Sequence, residues 1–244
     1  MHPAKEKTTA IRSIFSAYGD LLHEIDSWFT SATNSHPDQI RCTSGCSECC
    51  RSLFDITMLD AACLREGFEL LPEEVRTAVT TKAVRRLLDL RAKWPDLEAP
   101  YVINYRPEKE WQELMPADDE TPCVLLDDNG RCLVYEHRPM TCRLHGLPLI
   151  DSSGEIMHDE WCTENFIGSN PLLLPELSAP FDTFFRREVT LDRDFTAELL
   201  GEVVYELDTF IPLALLIDFR AFDWLTWWQE NRSKVLANSG LEQE

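Results

Sequence analysis

The chain has 244 residues, 44% of them hydrophobic, enough to bury a core as one large domain or two small ones. Its 43 Asp and Glu against 23 Lys and Arg leave a formal charge of −20. A surface that acidic repels phosphate backbones and anionic lipid, which argues against nucleic-acid and membrane-surface binding and favours cations or a protein partner with a basic surface.

The N-terminal stretch runs into polar–apolar alternation, so no secretory signal is expected. The most apolar run, 210–217, contains Pro212 and falls far short of the ~20 residues a membrane-spanning helix needs. Both features imply a cytoplasmic protein in a reducing environment, where structural disulfides are rare. Its nine cysteines therefore need another explanation.

In chain order, residues 1–40 read as a helical arm. Ile11, Ile14, Phe15, Tyr18, Leu21, Leu22, Ile25, Trp28 and Phe29 recur at i+3 and i+4, and the turn formers of 31–37 end the pattern. A second helix is predicted near Thr57, an N-cap with Asp60 in the first turn. A third begins at Pro72, with Val75, Val79, Leu87 and Leu88 as its apolar face. Asn129-Gly130, between apolar runs, predicts a β-hairpin, and Ser152-Ser153-Gly154 a weaker one. Helices are expected again over 196–210, with Leu199, Leu200, Val203, Val204 and Leu207 on one face. Another is expected over 218–237, with Phe219, Phe222, Leu225 and Trp228 inward. The expected fold is mostly α, wrapped around a small irregular metal-bound β-hairpin centre (α+β), as a single compact unit with helical flanks. Its divisions are an arm at 1–40, a cysteine-cluster metal-binding domain at 41–165 and a helical extension at 166–244.

Eight of the nine cysteines fall between Cys42 and Cys142, and the last is Cys162. The dense block is Cys42-x3-Cys46-x2-Cys49-Cys50, followed by Cys123, Cys132, Cys142 and Cys162. Thiolates at such intervals let sulfurs converge on one centre, and both zinc and iron–sulfur clusters take four of them. Eight suffice for two four-thiolate sites, or for one with spares. Adjacent Cys49 and Cys50 should point apart and serve two metals, or one metal and one packing role. Cys63, beside Ala61, Ala62 and Leu64, reads as a small buried hydrophobe. Arg41, Arg51, Arg131 and Arg143 each adjoin a cysteine, where a guanidinium lowers the thiol pKa and offsets a four-thiolate charge.

The hairpin loop decides whether Cys123 and Cys132 share an ion. A two-residue loop sets Cys132 opposite Asp127, leaving Cys123 roughly 13 Å away at ~3.3 Å per residue. A four-residue loop sets Cys132 opposite Leu125, with Cys123 a diagonal neighbour at ~7 Å. Sharing requires the longer loop or a strand that breaks before Cys123.

Two segments carry a resemblance. One is Cys42 to Arg51, followed by Ile56-Thr57. The other runs from Pro122-Cys123 through Cys132-Leu-Val-Tyr-Glu-His-Arg138-Pro139-Met-Thr-Cys142-Arg143. Together they resemble the CxxCxxCC (YkgJ-like) family of zinc- or iron-chelating cysteine-cluster domains, over roughly Cys42 to Cys162. The family's first two cysteines have two residues between them, whereas Cys42 and Cys46 have three. A flagellin lysine methylase shares the domain.

His137, His145 and His158 are further possible ligands, His158 through a helix shared with Cys162. Two function classes result. The first is a binding protein whose metal folds the centre. The second is an iron–sulfur-dependent enzyme, redox or, by analogy with that methylase, protein lysine N-methylating. Thiolate number and neighbouring arginines favour an iron–sulfur cluster; zinc would also suit the hairpin-and-loop setting.

Overall fold

The computed structural model of the chain describes residues 3–43, 45–116 and 118–238, with side chains from residue 9 onward. The predicted arm is one helix, α1 (Pro3–Ser35). It buries Ile14, Tyr18, Leu21, Leu22, Ile25 and Trp28 along a single stripe. It continues through the predicted turn formers because Ala32 is also buried on that stripe. Thr57 caps α2 (Met58–Glu69) as its residue type predicts, its hydroxyl accepting the Asp60 N–H at 3.1 Å. Pro72 precedes α3 (Glu73–Lys93), which buries Val79, Ala83, Leu87 and Leu90. Leu88, expected on that face, is exposed, because it lies one residue and about 100° round from Leu87.

Two short helices, α4 (Glu108–Gln112) and α5 (Met140–Leu144), interrupt the cysteine-rich centre. The predicted Ser152–Gly154 turn joins β2 (Leu149–Asp151) to β3 (Ile156–His158), and β4 (Ser178–Ala179) pairs parallel on the other side of β2. Helix α6 (Phe181–Leu200) lies against α1, with Phe181 edge-on to Trp28 at 4.9 Å and Phe195 against Phe15 at 5.8 Å.

Two predicted helices are corrected. The 196–210 segment is helical only to Leu200, where Gly201 takes the left-handed conformation and closes α6. Its end is instead β5 (Asp208–Phe210), antiparallel to β1 (Asp55–Thr57) and followed by α7 (Ile211–Ala214). The 218–237 helix starts late, as α8 (Trp224–Asn238). Asp218 accepts the N–H groups of Arg220 and Ala221 in a turn, and Asp223 accepts that of Thr226 at the helix start. Trp224, Trp227 and Trp228 are buried, whereas Leu225 is exposed.

The main core joins Ile14 of α1 to Val235 of α8 and takes in Leu125, Val134, Met140 and Leu147 from the cysteine-rich centre. A second cluster beside α3 gathers Leu87, Leu90, Trp94, Ile103, Trp111 and Phe210. Helices dominate and two small sheets sit among them, in agreement with the predicted α+β class. Among the described residues, no helix is long and apolar enough to cross a membrane.

Candidate metal centre

The first cysteine block is a loop of tight turns. Cys46 N–H donates to Thr43 O at 2.9 Å and Cys50 N–H to Ser47 O at 3.0 Å. The second block is stitched onto it: Cys123 N–H donates to Cys50 O at 2.8 Å, Ser52 N–H to Thr121 O at 2.9 Å, and Arg51 forms a β-bridge with Pro122. The tip of the Asp127–Gly130 loop rests on the first block. A Cβ on Gly130 (φ +74°) would lie 2.9 Å from Gly45 O, so that contact requires glycine.

The loop register matches neither predicted alternative. Cys132 is bridged to Leu126, Asp127 N–H bonds Arg131 O, and Leu133 N–H bonds Leu125 O. The loop therefore has three residues, 128–130, and its left-handed Gly130 is the usual closure for that length. Asp127 Oδ1 selects it by accepting both Asn129 N–H and Arg131 N–H at 2.8 Å. The strand breaks at Cys123, where a turn returns Leu126 N–H to Cys123 O at 3.1 Å. That break brings Cys123 within electrostatic reach of Cys132 and Cys142.

The eight predicted cysteines fall into two groups of electrostatic neighbours, joined through Cys49 and Cys50. On one side Cys46 and Cys162 act on Cys42, and Cys46 acts on Cys162; on the other Cys132 acts on Cys123, and both act on Cys142. Cys49 reaches both, acting on Cys42 and Cys162 as well as on Cys142. The Cys50 thiol acts most strongly on Cys49 and raises its pKa, and burial adds to this. All nine cysteines are free thiols. Cys46 is exposed and the other seven of the eight are partly buried. Among the described residues, no three Cys, His, Asp or Glu side chains already converge as ligands of one ion.

Burial pushes the Cys142 thiol well above its ordinary value, and the charges of Cys123 and Asp60 add to this. Burial raises Cys123 to about 11. Neutral thiols pack here at little electrostatic expense, but eight thiolates need compensating positive charge. A thiol-only donor set of this density fits zinc or iron–sulfur chemistry, and not an oxygen-seeking cation. Cys63 lies on α2, packed against the main core.

Arginine placement differs from the sequence expectation. Arg143 is buried, pairs with Asp26 of α1, and donates to Arg138 O at 3.0 Å and Glu136 O at 2.9 Å. Arg138 also pairs with Asp26, at 3.1 Å, and lies over the Tyr135 ring. Burial raises the Cys132 pKa, and these two guanidinium groups oppose it; Arg138 does the same at Cys49. Arg51 pairs instead with Glu120 at 3.7 Å. Of the four arginines that adjoin a cysteine, Arg143 acts on Cys132, and Arg138 of the Arg-Pro motif joins it there.

The histidines have other surroundings. His137 packs onto α2 where Gly67 leaves room; a Cβ there would meet its Cγ at 2.4 Å. His145 is edge-on to Phe54 at 5.5 Å. His158 lies in β3 and shares no helix with Cys162. Asn165, which sequence reasoning passed over, hydrogen-bonds Cys42 Sγ. A lone Asn outside the cysteine spacing gives no signal of this.

Fold and site together define a helix-rich α+β protein with eight free cysteines on two stitched loops, on α5 and just beyond β3. Residues 41–163 match the CxxCxxCC family, described as "Putative zinc- or iron-chelating domain", and the chain belongs to that family. No curated protein matches the chain, and no solved structure does.

Proposed function

We propose that this protein binds iron through two adjacent four-thiolate centres of iron–sulfur type. Cys42, Cys46, Cys49 and Cys162 hold one, and Cys50, Cys123, Cys132 and Cys142 the other. The observation that carries this reading is the two groups of electrostatic neighbours, joined at the Cys49-Cys50 step. Cys50 goes to the second centre because its carbonyl holds Cys123. Zinc remains compatible with the donor set. Iron–sulfur is favoured by the Arg138 and Arg143 charges beside Cys132 and Cys49, since cations and N–H donors near the sulfurs stabilise anionic clusters. When bound, such a centre supplies electron transfer or structural cross-linking of the loops. The role proposed for the chain is that of a metal-binding protein, with its acidic helical shell available to a basic partner.

Substitution separates the two sides. Cys132→Ser is expected to remove about half of the bound metal, since one of two four-ligand sites is lost. Cys63→Ser should leave the metal content unchanged. Metal analysis showing a loss for Cys63→Ser, or full retention in Cys132→Ser, would contradict the ligand assignment.

A further inference from the structure

Asn165 lies two residues beyond the family match and is 2% exposed. Its side chain joins three segments. Oδ1 accepts Arg41 N–H at 2.7 Å, and Nδ2 donates to Gly146 O at 2.8 Å and to Cys42 Sγ at 3.4 Å. Gly146 O in turn accepts Cys162 N–H at 3.2 Å, and Asn165 N–H donates to Cys162 O at 2.9 Å. Gly146 has φ +103°, and a Cβ there would come within 3.5 Å of Cys42 Sγ and 3.9 Å of Cys162 Cβ. Cys42 and Cys162, 120 residues apart, are thus seated on one cradle of Gly146 and Asn165.

The adjacent Phe166 shows how firmly the cradle is set. It is buried with φ +52°, a conformation a bulky side chain adopts only when its surroundings impose it. Its N–H donates to Gln39 O at 2.8 Å, which fastens the same segment to the residues before Cys42.

We infer that Asn165 is a positioning residue for the metal centre: its amide N–H fixes the Cys42 sulfur for coordination. This rests on the cysteines binding metal, but not on which metal. An N–H···S bond holds a ligand sulfur in place and favours its charged form, as outer-shell donors do at metal sites generally.

Asn165→Asp separates positioning from mere stapling. The carboxylate keeps an acceptor for Arg41 N–H but removes the N–H aimed at sulfur. With cobalt(II) as probe, the full-length wild-type protein should show an intense sulfur-to-cobalt charge-transfer band. In Asn165→Asp that band should fall by about a quarter per affected site as one of four thiolates is lost, with the far-ultraviolet circular dichroism unchanged. In a Cys42→Ser background the same substitution should change nothing further. Asn165→Ser, neutral and shorter, should reproduce the loss. An undiminished band in a folded Asn165→Asp protein, or a further fall in the Cys42→Ser background, would overturn the inference while leaving metal binding intact. Unfolding in both Asn165 variants would overturn it in favour of a purely structural staple. Absence of the band in the wild type would overturn the metal reading, and this inference with it.

Discussion

Replacing Arg143 with Met is expected to destabilise the folded chain by about 3 kcal/mol, the lower end of what removing one partner of a buried ion pair costs. The guanidinium is 4% exposed and holds Asp26 of α1, Arg138 O and Glu136 O together. Met fills similar volume but leaves those acceptors without their donor. Asp26 is one-third exposed, so water and Arg138 recover part of the loss. The same substitution removes one of the two cations acting on Cys132, so the variant should also retain less metal. Urea unfolding measures the first effect and metal analysis the second. A stability change under about 1 kcal/mol would show that the link between α1 and the cysteine loops is not held here.

The second large effect concerns pH. Asp60, Asp192 and Asp208 are buried on α2, α6 and β5, and half-buried Glu188 of α6 feels the charge of all three. Burial pushes Asp192 up to about 7 and Glu188 up to about 8; the Asp60 charge adds to both, and those of Asp192 and Asp208 add further at Glu188. Burial raises Asp60 to about 6, against its hydrogen bonds from Tyr18 at 2.7 Å and Met140 N–H at 3.1 Å and the Arg143 charge. Burial raises Asp208 well above its usual range, with Asn104 hydrogen-bonded to it at 3.0 Å. Between roughly pH 4 and pH 8 the folded state holds protons that the unfolded chain, with carboxyl pKa values near 4, has released. Stability is therefore greatest near pH 4 as far as these groups decide it, and falls as pH rises toward 8.

Asp192→Asn isolates the effect. Its side-chain oxygen can still accept Leu59 N–H, now at 3.1 Å, while the charge is gone. The variant should be more stable than wild type by a few kcal/mol at pH 8, since each tenfold difference in proton affinity is worth about 1.4 kcal/mol. Near pH 4 the gain should vanish. An equal gain at both pH values, read from thermal melts, would place the cause in packing rather than charge.

Local chemistry was legible in the sequence where a single residue type decides the outcome. Thr57 caps α2, Pro72 opens α3, and the α1 stripe is buried as its spacing requires. Apolar period alone misled beyond Leu199, because a helical face and a buried strand present the same short apolar runs. Gly201 carried the stop signal, and the pairing of 208–210 with 55–57 is a contact across more than 150 residues that no local pattern encodes. The eight cysteines were legible as a group through their spacing. Their two-sided arrangement was not, because it depends on a three-residue loop that Asp127 selects with side-chain hydrogen bonds. Asn165 and the shared Asp26 partner of Arg138 and Arg143 were invisible for the same reason: each joins segments far apart in the chain.

The most direct test is the metal and sulfide content of protein purified without oxygen. Two four-thiolate iron–sulfur centres predict brown protein with visible charge-transfer absorption, iron and acid-labile sulfide in comparable amounts, and bleaching on exposure to air. Colourless protein with stoichiometric zinc and no sulfide would contradict the iron–sulfur reading and assign the cysteines to zinc.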